Sequence, residues 1–81
     1  MQNDRFNHKT CYYRVIKTRE LINSKSVWSY GIEGFSNGEA VTVKALSIDR
    51  KRIERLVRDM NESGLELNAL RGVIDNFLLK L

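Results

Sequence analysis

The feature that most constrains this chain is a pair of apolar stripes at helical spacing in its second half. Ile53, Leu56, Val57 and Met60 recur at intervals of three and four residues. Leu67, Leu70, Ile74, Phe77 and Leu81 do the same after a break at Ser63-Gly64. That spacing places each set on one face of an α-helix, and helices this short hold only when the face is buried against something else. Ser47 is the expected N-cap of the first helix, with Asp49 in the first turn where the helix dipole favours negative charge. Glu54 precedes Arg58 by four residues, the favourable order for an ion pair worth about 0.3–0.5 kcal/mol. Gly64 suits the left-handed position that closes a helix. In the second helix Val73 and Leu78 flank the stripe, and Leu79 falls on the far face with Asn68, Gly72 and Asp75. Gly72 costs ~1 kcal/mol relative to alanine there, and reads either as drift on an outer face or as close approach by another backbone.

The cover for these stripes must come from the first half. Residues 12–22 are rich in aromatic and β-branched side chains and read as a strand. Asn23-Ser24-Lys25 supplies a turn. The next run alternates, with Trp28, Tyr30 and Ile32 on one face and Val27, Ser29 and Gly31 on the other. A second turn contains Asn37-Gly38, a strong hairpin signal. The third run then sets Val41, Val43 and Ala45 opposite Ala40, Thr42 and Lys44. The fold class that follows is α+β: a three-stranded antiparallel β-meander followed by a two-helix hairpin packed on one sheet face. Expected bounds are 12–22, 26–34 and 39–46 for the strands and 48–62 and 66–80 for the helices, in a domain over 11–81 behind a flexible segment, 1–10. Pairing Ile22 with Ser26 would put Ile16, Thr18 and Glu20 on the face of Ile32, Tyr30 and Trp28. A slip of one residue would replace them with Lys17, Arg19 and Leu21. The first register offers the better packing.

With 81 residues, any core is thin. No run approaches a membrane span, and the polar start is not that of a signal peptide. Cys11 is the sole cysteine, and no Cys/His cluster has zinc spacing, so the expected compartment is reducing and cytoplasmic, with no metal or cofactor. Catalysis lacks its parts. His8 and Cys11 lie at the start of the chain, away from a rigid scaffold. Glu33 and Glu39 flank a hairpin turn, and Asp49, Glu54, Asp59 and Glu62 are helix-surface charges. The glycines match no phosphate-binding fingerprint. The chain is not expected to be an enzyme.

A net charge of +4 permits an acidic partner or nucleic acid. The densest basic segment is Arg50-Lys51-Arg52, continued by Arg55 and Arg58, so Lys51, Arg52, Arg55 and Arg58 are the candidate surface for either. Interleaved acids weaken it, and no base-reading Asn or Gln precedes Asn61 on that face. Tyr12, Tyr13, Trp28, Tyr30 and Phe35 could form a base-stacking platform, but a thin core needs large apolar side chains, and Trp28, Tyr30 and Ile32 are the ones expected to face the helices.

Tyr30-Gly31-Ile32, then Leu46-Ser47-Ile48-Asp49 leading into a helix with Asn61 near its end, then Leu65, Leu70 and the tail Val73-Ile74-Asp75-Asn76-Phe77-Leu78 form a pattern. It resembles a family of small proteins of unassigned function from Gram-positive, mainly clostridial bacteria, and covers residues 12–78. The resemblance implies a sheet followed by helices and supplies no catalytic residue. Gly72 and Asn76 depart from it, standing where the pattern has acids. The expected function is a small cytoplasmic, non-enzymatic protein–protein interaction or regulatory module that self-associates. The alternative is a nucleic-acid-binding protein using the basic face of the first helix.

Overall fold

The computed structural model describes residues 11–80. The expected flexible start and His8 lie outside them. Three strands, β1 (Tyr12–Ile22), β2 (Lys25–Ser36) and β3 (Glu39–Ser47), form one antiparallel sheet in the order β1-β2-β3. Helix α1 (Arg50–Ser63), a 3-10 turn (Leu67–Ala69) and helix α2 (Leu70–Leu79) follow, and the helices pack on one face of the sheet. The fold is α+β, as the stripes and alternation imply.

Both hairpin turns are two residues long. Asn23 and Ser24 have φ of 52° and 67°, and Asn37 and Gly38 have 49° and 85°. These are the mirror-image turns whose twist matches that of the flanking strands. Because the first turn holds two residues and not three, Ile22 pairs with Lys25, Leu21 with Ser26, Arg19 with Trp28, Lys17 with Tyr30 and Val15 with Ile32. The register is therefore neither of the two expected: it is slipped by one residue towards the turn, which gives the face of the slipped alternative but sets Val15, Lys17 and Arg19 against Ile32, Tyr30 and Trp28. It turns Tyr13 and Val15 towards the helices and sends Tyr12, Ile16, Thr18 and Glu20 to the other face.

Tyr13, Ile32, Ile53, Val57, Met60, Leu70 and Ile74 are the buried core. Gly34 makes room for Tyr13. A Cβ there would stand 2.7 Å from the tyrosine ring and 2.9 Å from Leu67 Cδ1, so the ring lies flat over a glycine rung. Gly31 serves the opposite face. Beside it β3 bulges at Ala45, which sits at φ 56°, and a Cβ on Gly31 would collide with the Val43 carbonyl oxygen. The β3 backbone is thereby laid over the outer side of β2.

Helix α1 starts two residues later than its sequence implies. Asp49, not Ser47, is the N-cap, accepting from the Arg52 backbone N–H at 3.3 Å, while Ser47 Oγ accepts from the Asp49 N–H at 3.0 Å. Glu54 pairs with Arg50 at 2.9 Å, and not with Arg58. At the other end Gly64, at φ 69°, donates to Asn61, and Leu65 donates to the Met60 carbonyl at 3.1 Å, satisfying two helix-end carbonyls. Gly72 has nothing near its missing Cβ, which leaves the reading of an open outer face.

Candidate interaction surfaces

The sheet is longer than the helices that cover it. Tyr13 marks the covered end. Its hydroxyl donates to the Leu65 carbonyl at 2.8 Å, tying β1 to the turn between the helices. Asn61 reaches the free edge of β1 from the end of α1. It accepts from the Tyr13 N–H at 2.8 Å and donates to the Tyr13 carbonyl at 2.9 Å, much as a neighbouring strand would. Burial raises the Tyr13 phenol pKa above its ordinary value of 10.0, helped by the charges of Cys11 and Glu66. Cys11 itself directs its thiol to Ser36 Oγ at 3.4 Å.

Beyond Lys17 and Tyr30 the β1–β2 hairpin continues without β3, which ends beside Tyr30 at Ser47. This two-stranded arm carries Trp28, which is 42% exposed and not in the core. Lys17 Nζ lies 4.6 Å and Arg19 Cζ 4.5 Å from its ring centroid, a double cation–π contact. Leu21 and Ile22 are exposed at the tip on opposite faces. Sequence reasoning missed the arm because alternation alone does not say where a covering helix ends. On the outer face near the covered end, Tyr12 stacks on Phe35 and Arg14 pairs with Glu33 at 2.8 Å.

The four helix cations expected as a surface, Lys51, Arg52, Arg55 and Arg58, are all exposed, and among the described residues none forms an ion pair. By helical spacing Lys51, Arg55 and Arg58 share the solvent face opposite Ile53 and Met60, with Arg52 to one side. Glu54 is occupied by Arg50, and the acid on the same line as the stripe is Glu62, past its end.

A groove of about 520 Å³ separates β3 from α2. Val41, Val43, Leu67, Leu70 and Ile74 line it together with the polar Asn68, and Arg71 and Asp75 are its charged residues, on the rim. Leu78, exposed and one turn beyond Ile74, extends the same side of α2. Among the described residues no group of three or more His, Cys, Asp or Glu side chains is placed to hold a metal ion, and no helix is long and apolar enough to cross a membrane. Comparison with family models, with curated proteins and with solved structures finds no match.

Proposed function

We propose that the protein is a non-enzymatic interaction module that works as a homodimer, the groove between β3 and α2 meeting the same groove of a second copy. The observation that carries this reading is the groove's composition. Five apolar side chains form its wall, while Arg71 and Asp75 on the rim stand one helical turn apart with no ion pair between them. A two-fold axis through the groove runs one α2 antiparallel to the other and sets each Arg71 against the Asp75 of the second copy. A surface that is self-complementary in both shape class and charge is what an isologous interface requires. The edge of β3 does not compete for this role, since the bulge at Ala45 and the charges of Glu39 and Lys44 blunt it.

Sedimentation of the full chain across a concentration series tests the proposal. A dimer is expected that Val41→Asp dissociates. Arg71→Asp and Asp75→Arg each weaken it, and the double exchange R71D/D75R restores it because the pair is re-formed with the signs reversed. A chain that stays monomeric at high concentration, or a double exchange no better than its parents, overturns the reading.

A further inference from the structure

The arm and α1 both display cations on the helix side of the sheet. Lys17 and Arg19 share the strand parity of Tyr13 and Val15, which contact the core from that side, and the solvent face of α1 looks the same way. The two sets meet at the base of the arm, where Arg50, Lys17 and Tyr30 line one cleft. From there the arm extends about 20 Å to its turn at strand rise, and the stripe Lys51, Arg55, Arg58 runs about 10 Å along α1. The result is one cationic track bent at the step between helix and arm. Arg50 is balanced by Glu54, leaving Lys17, Arg19, Lys51, Arg55 and Arg58 to act on a ligand.

We propose that this track binds the phosphate backbone of duplex nucleic acid, with the β1–β2 arm lying in a groove. A two-stranded ribbon fits the major groove, about 12 Å wide. The tip is chemically suited to a groove and not to a bilayer. Asn23 and Ser24 occupy the turn, and their backbone groups need water or polar partners. Lys17 and Arg19 lie against the Trp28 ring, so a base stacking where they sit would have to displace a cation, which disfavours single strands. Trp28 instead holds two cations at the spacing of alternate strand residues, on the face of the ribbon opposite the one where Ser29 is buried against the end of β3. This reading is independent of the homodimer, whose groove lies beside β3 at the covered end of the sheet and includes no residue of the arm.

The experiment is fluorescence anisotropy of the full chain with a labelled duplex of about 20 base pairs, titrated between about 50 and 200 mM salt. Five phosphate contacts predict a log–log slope of about −4.5 and an affinity loss of about 500-fold over that range. K17Q/R19Q on the arm and R55Q/R58Q on α1 should each make the slope shallower by about 2. Trp28 is the sole tryptophan, so its emission in the unaltered protein should change on binding, which reads the arm without any substitution. No binding at the lowest salt overturns the proposal. So does tighter binding of single strands, of anionic phosphatidylserine vesicles or of polyglutamate than of duplex at the same salt. Loss of slope only in R55Q/R58Q, with Trp28 emission unmoved, removes the arm from the site and overturns the proposal as stated.

Discussion

Two aromatic residues stand on the same face of the same sheet and meet opposite fates. Tyr13 is 1% exposed and Trp28 is 42% exposed, although tryptophan has the greater apolar area to hide. The difference lies in the reach of the helices. A helix of 14 residues is about 21 Å long, enough to cover about six strand residues, whereas β1 and β2 run about twice that distance. Tyr13 falls under α1 and the turn that follows, where Asn61 and the Leu65 carbonyl hold it. Trp28 falls beyond the start of α1 and is held by cations alone. Burial in so thin a domain is decided by where the covering layer stops, not by which side chain most favours being covered.

Truncating an aliphatic side chain at each end of the sheet should show the largest contrast. Ile32 is fully buried, and Ile32→Ala should cost about 4 kcal/mol through lost transfer energy and a cavity. A domain of this size has of the order of 4–12 kcal/mol in all, so denaturant melts should show a large loss or no folded state. Leu21→Ala on the arm, at 78% exposure, should leave the midpoint within about 0.5 kcal/mol. Comparable losses at both sites would mean that the arm is part of the core.

Asn61→Ala should come next, at about 2 kcal/mol, although Asn61 is exposed. It leaves the Tyr13 N–H and carbonyl at the strand edge without their partner. Asn68 is also exposed but makes no hydrogen bond to the sheet, and Asn68→Ala should be silent in the same melt. If the two asparagines behave alike, the clamp on β1 contributes nothing.

Tyr13→Phe should cost about 1 kcal/mol through the lost bond to the Leu65 carbonyl. It also carries a pH signature. The phenol pKa is raised in the folded state, so below pH 10 the proton is bound in both states and Tyr13 adds no pH dependence. Above the unfolded value the unfolded chain releases the proton first, and stability falls as pH rises towards the folded value. The alkaline loss should be smaller in Tyr13→Phe than in the parent. An identical alkaline limb would place Tyr13 in water and remove it from the covered end.

The contrast between the two ends also explains what could be read from the sequence. The helical stripes and the strand alternation are local periodicities, and Ile53, Val57, Met60, Leu70 and Ile74 are buried as those patterns require. Register is not local. It turned on whether Lys25 belongs to the turn or to β2, and that single residue reversed the face of every β1 side chain, bringing Tyr13 in and taking Ile16 out. The Asn61 clamp joins positions 48 residues apart, so no spacing rule announces it. Asn61 was legible only as part of a pattern, without its reason. The basic residues of α1 were visible as a cluster, but their link to Lys17 and Arg19 depends on the arm's length relative to the helix, a three-dimensional quantity. The groove rim was legible in part, since Arg71 and Asp75 stand four apart, though nothing in the sequence marked Val41 and Val43 as its opposite wall.

The smallest effect should be the most discriminating. Two-stranded hairpins without a covering layer are marginal in water, so the arm should open independently of the rest. Trp28→Ala removes the ring that Lys17 and Arg19 share, and cation–π contacts at exposed sites are worth about 0.5–1 kcal/mol. The global melt should therefore move by less than about 1 kcal/mol, while amide exchange quickens severalfold along the paired backbone of the arm and stays unchanged around Tyr13. Trp28→Leu separates the contributions, because leucine keeps apolar contact area but lacks the negative ring face that attracts cations. It should restore only part of the arm's protection, and that part should be insensitive to salt. Full restoration would reduce the clamp to ordinary apolar contact. A global loss near that of Ile32→Ala would instead show the sheet to be one cooperative unit, in which covered and projecting ends are distinguished by exposure but not by energy.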